Sequence, residues 1–143
     1  MLPKDWEMDF TDFRIHKIEF RVNSKFKPKK NKPIVLKTSV KIDHKYDKRK
    51  KELKVAVEVS QKETDAPFSY AVEGIGKFHF IKVPDEQKLV RIASINCPAI
   101  LFPYIRETIA DITRRSGFSP LHLSPINFVK LAEESRKSRP IQK

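Results

Sequence analysis

The residues able to do chemistry in this 143-residue chain are few, and they do not converge. Cys97 is the sole cysteine and precedes Pro98 at the edge of an apolar run, which reads as a buried structural thiol rather than a nucleophile. It can form no intramolecular disulfide, and a lone thiol fits a reducing compartment. His16, His44, His79 and His122 are scattered singly, none four residues from another and none near Cys97, so no metal site is expected from them. Glu107 and Asp111 share a helical face, but Arg106, Arg114 and Arg115 surround them, which describes a solvated mixed-charge surface rather than a catalytic pair. The three glycines, Gly74, Gly76 and Gly117, make no phosphate-cradling loop. The expectation is a protein that is not an enzyme, with no catalytic residue, no metal and no cofactor.

Binding is left, and charge is the first guide to it. The net charge is +12, and residues 14–62 carry 17 Lys and Arg against 5 Asp and Glu, so the remainder is neutral. The excess gathers in KFKPKKNK (25–32) and KYDKRKKELK (45–54). Such a field suits nucleic acid, an anionic membrane surface or acidic polypeptide. Single-stranded nucleic acid would need exposed aromatics among the cations, and only Phe26 and Tyr46 lie within the basic loops, so that alternative is the weaker one. No run approaches the eighteen apolar residues of a membrane span, and the first residues do not pattern as a signal peptide. A cytoplasmic protein without membrane insertion is expected.

The elements that would position a binding surface follow from periodicity. Residues 11–22 alternate through Phe13 and Ile15, slip by one at His16-Lys17, then alternate again through Ile18, Phe20 and Val22, which predicts a strand with a bulge. Residues 34–43, 51–60 and 67–83 predict three more strands, with DHKYDKRK as a hairpin loop and two glycines in the fourth strand marking a bend or the close approach of another element. Four consecutive strands read as an antiparallel meander. After Pro84 the period becomes helical: a short helix over 85–96, then a long one through Leu101, Ile105, Thr108, Ile109 and Ile112, ended by Gly117. Pro98 and Pro103 are expected to restrict where that long helix begins. Pro120 and Pro125 force an extended linker, and Ser124-Pro125 is expected to cap a last helix carrying Phe128 and Leu131. The fold class is α+β: the meander, then a short, a long and a C-terminal helix packed on one sheet face. A single domain is expected over 11–138, with tails at 1–10 and 139–143.

The stretch Cys97-Pro98, Ile100-Leu101-Phe102-Pro103-Tyr104, Arg106-Glu107 continues through Arg115, Gly117, Phe118, Pro120, Leu121, Leu123, Pro125, Asn127 and Phe128. In residues and order this block resembles the C-terminal half of the bacterial export chaperone family SecB. The resemblance implies a homotetramer, a dimer of dimers, that holds unfolded precursor polypeptides without ATP or any cofactor. It implies subunit contacts through the long helix, here Leu101, Tyr104, Ile105, Thr108, Ile109 and Ile112. It implies apolar client grooves, for which Phe118, Leu121, Leu123, Phe128, Leu131, Leu36, Val40 and Tyr70 are the candidates. In the family, carboxylates on the outer sheet face dock the basic tail of the motor SecA. At the matching positions this chain carries Lys17, Arg21 and Ala71, so docking by that route is not expected. A chaperone dedicated to an antitoxin, without SecA coupling, is the alternative on the same fold.

Overall fold

The computed structural model describes residues 7–138. Four antiparallel strands make one sheet: β1 (Glu7–Val22), β2 (Ser39–Asp47), β3 (Glu52–Gln61) and β4 (Phe68–Lys82). Their spatial order is β1-β4-β3-β2. The α+β class is as expected, but the path is a Greek key rather than a plain meander, because β1 pairs with β4 and not with β2. Two physical reasons favour this path. The connection 23–38 contains Pro28, Pro33 and five lysines within 25–32, and cannot close a tight hairpin. On the inner face, moreover, β1 matches β4 ring for ring, with Phe10 opposite Phe78 and Phe20 opposite Tyr70.

The slip seen in the first strand is a bulge: Ile15 lies opposite Gly74 and Lys17 opposite Glu73, leaving His16 as the extra residue. A second register shift falls between Phe10 and Asp12. β1 opens at Glu7, inside the stretch expected to be a tail; residues 1–6 and the tail expected at 139–143 lie outside the described residues. The second strand is displaced from 34–43 to Ser39–Asp47. Ser39 pairs with Ser60, and β3 ends one residue later, so earlier residues have no ladder partner. At the other end the turn is tighter than expected. The Asp47 carboxylate accepts the backbone N–H groups of Arg49 and Lys50, and Lys51 takes a left-handed conformation (φ 53°).

Helix α1 (Glu86–Arg91) is capped by Asp85, whose carboxylate accepts the N–H of Lys88. It does not stop before the prolines. A π turn over Ile92–Asn96, closed by the Cys97 N–H on the Ile92 carbonyl, carries it directly into α2 (Cys97–Arg115). Pro98 and Pro103 are therefore inside the helix, a correction to the expected start. The ring of Pro98 would press on the Ser94 carbonyl in a regular helix, and a wide turn here makes room for it. The helix ends as expected. Gly117 (φ 94°) donates to Arg114 and Phe118 to Thr113, a Schellman closure. The last helix, α3 (Phe128–Ser138), is capped by Asn127, whose side chain accepts the Lys130 N–H, and not by Ser124.

The two strand glycines explain how the layers meet. A Cβ on Gly76 would lie 2.5 Å from Leu101 Cδ2, and one on Gly74 2.9 Å from Phe13 Cε2 and 3.1 Å from Ile105 Cγ1. Their missing side chains form notches into which α2 settles, with Leu101, Ile105 and Ile109 fully buried over Val55, Val57 and Val72.

Candidate functional site

Because α2 sits in the glycine notches of β4 and over β3, it does not roof β2. The inner face of that edge strand is left beside a groove of about 360 Å³. Val40, Ile42 and His44 of β2 form one wall. Val90, Arg91, Ser94 and Ile95, from α1 and the π turn, form the second, and Val129, Leu131, Ala132, Glu133 and Ser135 of α3 the third. Local structure decides each wall. Alternation turns Val40, Ile42 and His44 to the same side of β2. The Asn127 cap starts α3 where Phe128 can pack on Phe102 (centroids 5.9 Å apart), leaving Val129 and Leu131 toward the groove. Val90 and Val129 remain 45% and 44% exposed, so the groove presents apolar surface to solvent. The open backbone edge of β2 runs beside it.

Of the eight residues expected to line a groove, the structure brings Val40 and Leu131 together there. Tyr70, Leu123 and Phe128 are corrected to core: each is at most 7% exposed, so none offers a reachable surface. Burial pushes the Tyr70 hydroxyl above its ordinary pKa. Phe118 and Leu121 are half-buried at another corner. There Phe118 packs on Phe20 and Phe68, and Thr113 Oγ accepts the Leu121 N–H at 2.9 Å. Leu36 is half-buried ahead of β2. Sequence reasoning missed Ile42, Val90, Ile95 and Val129 as groove residues. Val90 and Val129 each sit next to an inward helical residue, Leu89 and Phe128, and such leftover valines were the available signal.

The expected subunit-contact stripe divides as well. Leu101, Ile105 and Ile109 are fully buried on the chain's own sheet, a correction that the glycine notches explain. Tyr104 is 47% exposed and packs its ring on Phe13 and Phe10, while Thr108 and Ile112 are half-buried. Cys97 is fully buried with its Sγ 3.9 Å from Met8 Sδ, and burial raises its pKa to about 12. No group of His, Cys, Asp and Glu among the described residues could hold a metal. Asp111 is held by Arg114 and Arg115, whose hydrogen bonds lower its pKa, which leaves no carboxylate pair with Glu107. No helix among the described residues is long and apolar enough to cross a membrane.

Comparison with known proteins agrees with this fold. The family model described as preprotein translocase subunit SecB matches residues 13–139. The chain belongs to the SecB family. Among curated relatives, the protein-export protein SecB of Acidithiobacillus ferrooxidans is 41% identical over 69 residues, 48% of this chain and 46% of that protein. That of Burkholderia vietnamiensis is 51% identical over 59 residues, 41% of this chain and 36% of that one. The chain thus covers less than half the length of these relatives. Among solved structures, the Mycobacterium tuberculosis Rv1957 SecB-like chaperone, in complex with a ChAD peptide from the HigA1 antitoxin, shares the fold. Its TM-score is 0.69 at 20% identity, covering 83% of this chain and 90% of that one.

On the outer sheet face of this SecB chain, Lys17 lies opposite Glu73, Ala71 opposite Glu19, and Arg21 opposite Ser69. Lys17 Nζ reaches over to Glu58 at 3.0 Å, and that hydrogen bond raises its pKa. One strand further, Lys41 lies opposite Glu58. The row across the sheet therefore reads Lys17, Glu73, Glu58, Lys41, a charge-balanced face that strand-by-strand reading of the sequence did not reveal.

Proposed function

We propose that this chain is an ATP-independent holdase that takes extended, non-native polypeptide in the groove between β2 and the helices. The observation that carries this is the groove itself: apolar walls open to solvent, alongside a strand with one unpaired edge. An extended segment laid there can donate to and accept from the β2 backbone while its alternate side chains enter the groove, a recognition mode that needs no particular sequence. The activity is binding alone, in the cytoplasm and without a cofactor, a reading that the match to the SecB family supports. The test is suppression of aggregation of a chemically unfolded client at equimolar chains. Light scattering should fall with the wild type and not with Val40→Glu, provided the variant keeps its circular dichroism; equal suppression by both would sink the reading.

The working particle is a homotetramer, a dimer of dimers. Phe10, Ile18 and Tyr104 are 39%, 54% and 47% exposed and give the β1 edge and the adjoining flank of α2 an apolar surface, with Thr108 and Ile112 available beside them. Static light scattering should return four chains per particle. For delivery, Lys17 and Arg21 oppose a cationic tail, so the basic zinc-binding tail of SecA is expected not to bind. Calorimetric titration at low salt checks this, and tight binding would make the chain an ordinary export chaperone. The antitoxin-dedicated chaperone stays the alternative on the same fold, since a client delivered elsewhere needs no motor contact.

A further inference from the structure

The groove has a charge setting that its apolar walls do not require. Basic segments stand at both ends of β2, one of them the connection that crosses the sheet end from Lys25, beside Val22 and Phe68 on the β1 side, to the start of β2. The connection 23–38 leads into Ser39 and carries Lys25, Lys27, Lys29, Lys30, Lys32 and Lys37, all exposed. At the far end the turn after Asp47 presents Lys48, Arg49, Lys50 and Lys51, also exposed. The turn could be built without them. It is formed by the Asp47 carboxylate accepting two backbone N–H groups and by a left-handed residue, for which glycine or asparagine would be easier than Lys51. That use engages the Asp47 carboxylate with the backbone, and Glu52, opposite Asp47 at the same turn, makes no ion pair with the four cations. Among the described residues none of the four turn cations has an ion-pair partner, and of the six in the connection only Lys37 has one, Glu63 at 3.8 Å. Four adjacent like charges repel one another, so the cluster stands ready for an external anion.

The spacing defines the anion. The nine residues of β2 span about 30 Å, so an extended peptide laid along the groove would have its two ends beside the two basic poles. Between the poles the walls offer aliphatic surface from Val40, Ile42, Val90, Ile95, Val129 and Leu131, interrupted by Arg91, Ser94, Glu133 and Ser135, and their one ring is the imidazole of His44. Bases of a nucleic acid would find a single imidazole rather than the series of rings that stacking along a strand uses, whereas aliphatic side chains of a peptide would be matched.

We infer that the preferred clients are extended segments with an aliphatic centre of about six residues and Asp or Glu at both ends, held by the groove centrally and terminally by the part of the basic connection that enters β2 and by the Lys48–Lys51 cluster. This rests on the holdase reading and adds to it the class of polypeptide taken. Three fluorescein-labelled peptides with one shared Val/Leu centre, and flanks of Asp/Glu, Ser/Gln or Lys/Arg, test it by anisotropy with the full chain. The Ser/Gln peptide should bind, the acidic one about tenfold more tightly at low ionic strength, and the basic one more weakly. The acidic advantage should shrink on raising salt to 0.5 M. Lys48→Glu/Lys50→Glu should remove most of the advantage without changing affinity for the Ser/Gln peptide, and Lys48→Gln/Lys50→Gln should remove less. Equal binding of the acidic and Ser/Gln peptides overturns the inference and leaves the holdase reading standing. If no peptide binds, both fall. Displacement of the acidic peptide by oligo-uridine of higher affinity also overturns it, because the basic poles would then serve nucleic acid.

Discussion

The two halves of the inner sheet face are written in the same alphabet and end in opposite roles. β3 and β4 alternate valine, leucine and phenylalanine inward and are sealed under α2; β2 alternates Val40, Ile42 and His44 inward and lies open. What separates them is two absent side chains. Gly74 and Gly76 let the long helix sink onto one half of the sheet, and the helix cannot then reach the other. The apolar pattern decides which face is inward, while the distribution of bulk decides which inward residues are covered.

The largest test of that contrast is to disturb the notch. Leu101→Ala should destabilise the fold by about 3 kcal/mol, since a fully buried leucine leaves a cavity that a rigid sheet cannot close. Gly76→Ala forces a methyl against Leu101 and should cost about 2 kcal/mol by overpacking. Combined, the two should cost clearly less than their sum, because the alanine fills the space that the leucine vacates. Urea unfolding of the four proteins measures this, and simple additivity would refute the notch as the seat of helix docking.

Groove substitutions should behave in the reverse way. Val129 is 44% exposed, so Val129→Ser should change stability by less than about 1 kcal/mol. It should nevertheless weaken an unfolded client several-fold in competition binding, because the lost contact is made with the client and not with the core. If Val129→Ser unfolds the protein and leaves the affinity of the survivors intact, the division between a sealed and a working half is wrong.

Much of the sealed half was legible. Period-two and period-3.6 patterns place strands and helices, the slip at His16 announces the bulge, and glycines within a strand announce that something approaches closely. Strand order was not legible, because β1 and β2 carry equivalent alternation and only the long lysine-rich connection argues against pairing them. The groove was legible only in part. Val40 and Leu131 come from segments far apart in the sequence, and three surfaces from distant segments must meet before the groove exists. Tyr70, Leu123 and Phe128 were misplaced for a general reason: large apolar residues near an expected groove more readily complete the core than line a surface. The helix start was misread because a proline inside a helix is tolerated where a π turn gives its ring room.

Cys97 extends the comparison to pH. Its thiol is sealed with the notch half, and burial lifts its pKa to about 12 from an ordinary 9.0. Below pH 9 folded and unfolded chains both hold the proton, so the group does not bias folding. Between pH 9 and 12 the unfolded thiol ionises and the folded one does not, so stability falls as pH rises through that window. Cys97→Ala should flatten this part of the stability–pH curve while lowering the curve at neutral pH. Native chain should also resist iodoacetamide at pH 8 and react once unfolded in urea. Rapid alkylation of the native protein would place Cys97 at a mobile surface.

The outer face should give the smallest response, and its smallness is informative. Lys17 is paired with Glu58 and faces Glu73, so it resembles a stabilising ion pair. Both partners remain in contact with water, however, and exposed pairs gain little because solvent and salt screen them. The raised pKa of Lys17 means that whatever the pair contributes is present below pH 10.5 and is lost as pH rises above it. Lys17→Met should therefore leave the melting temperature at pH 7 within replicate error, in low and high salt alike, while 15N-detected titration of the wild-type ammonium shows the upward shift. A large loss of stability would mean that the cross-sheet row Lys17, Glu73, Glu58, Lys41 acts as one desolvated network, and the outer face would then belong with the sealed half as part of what holds the sheet together.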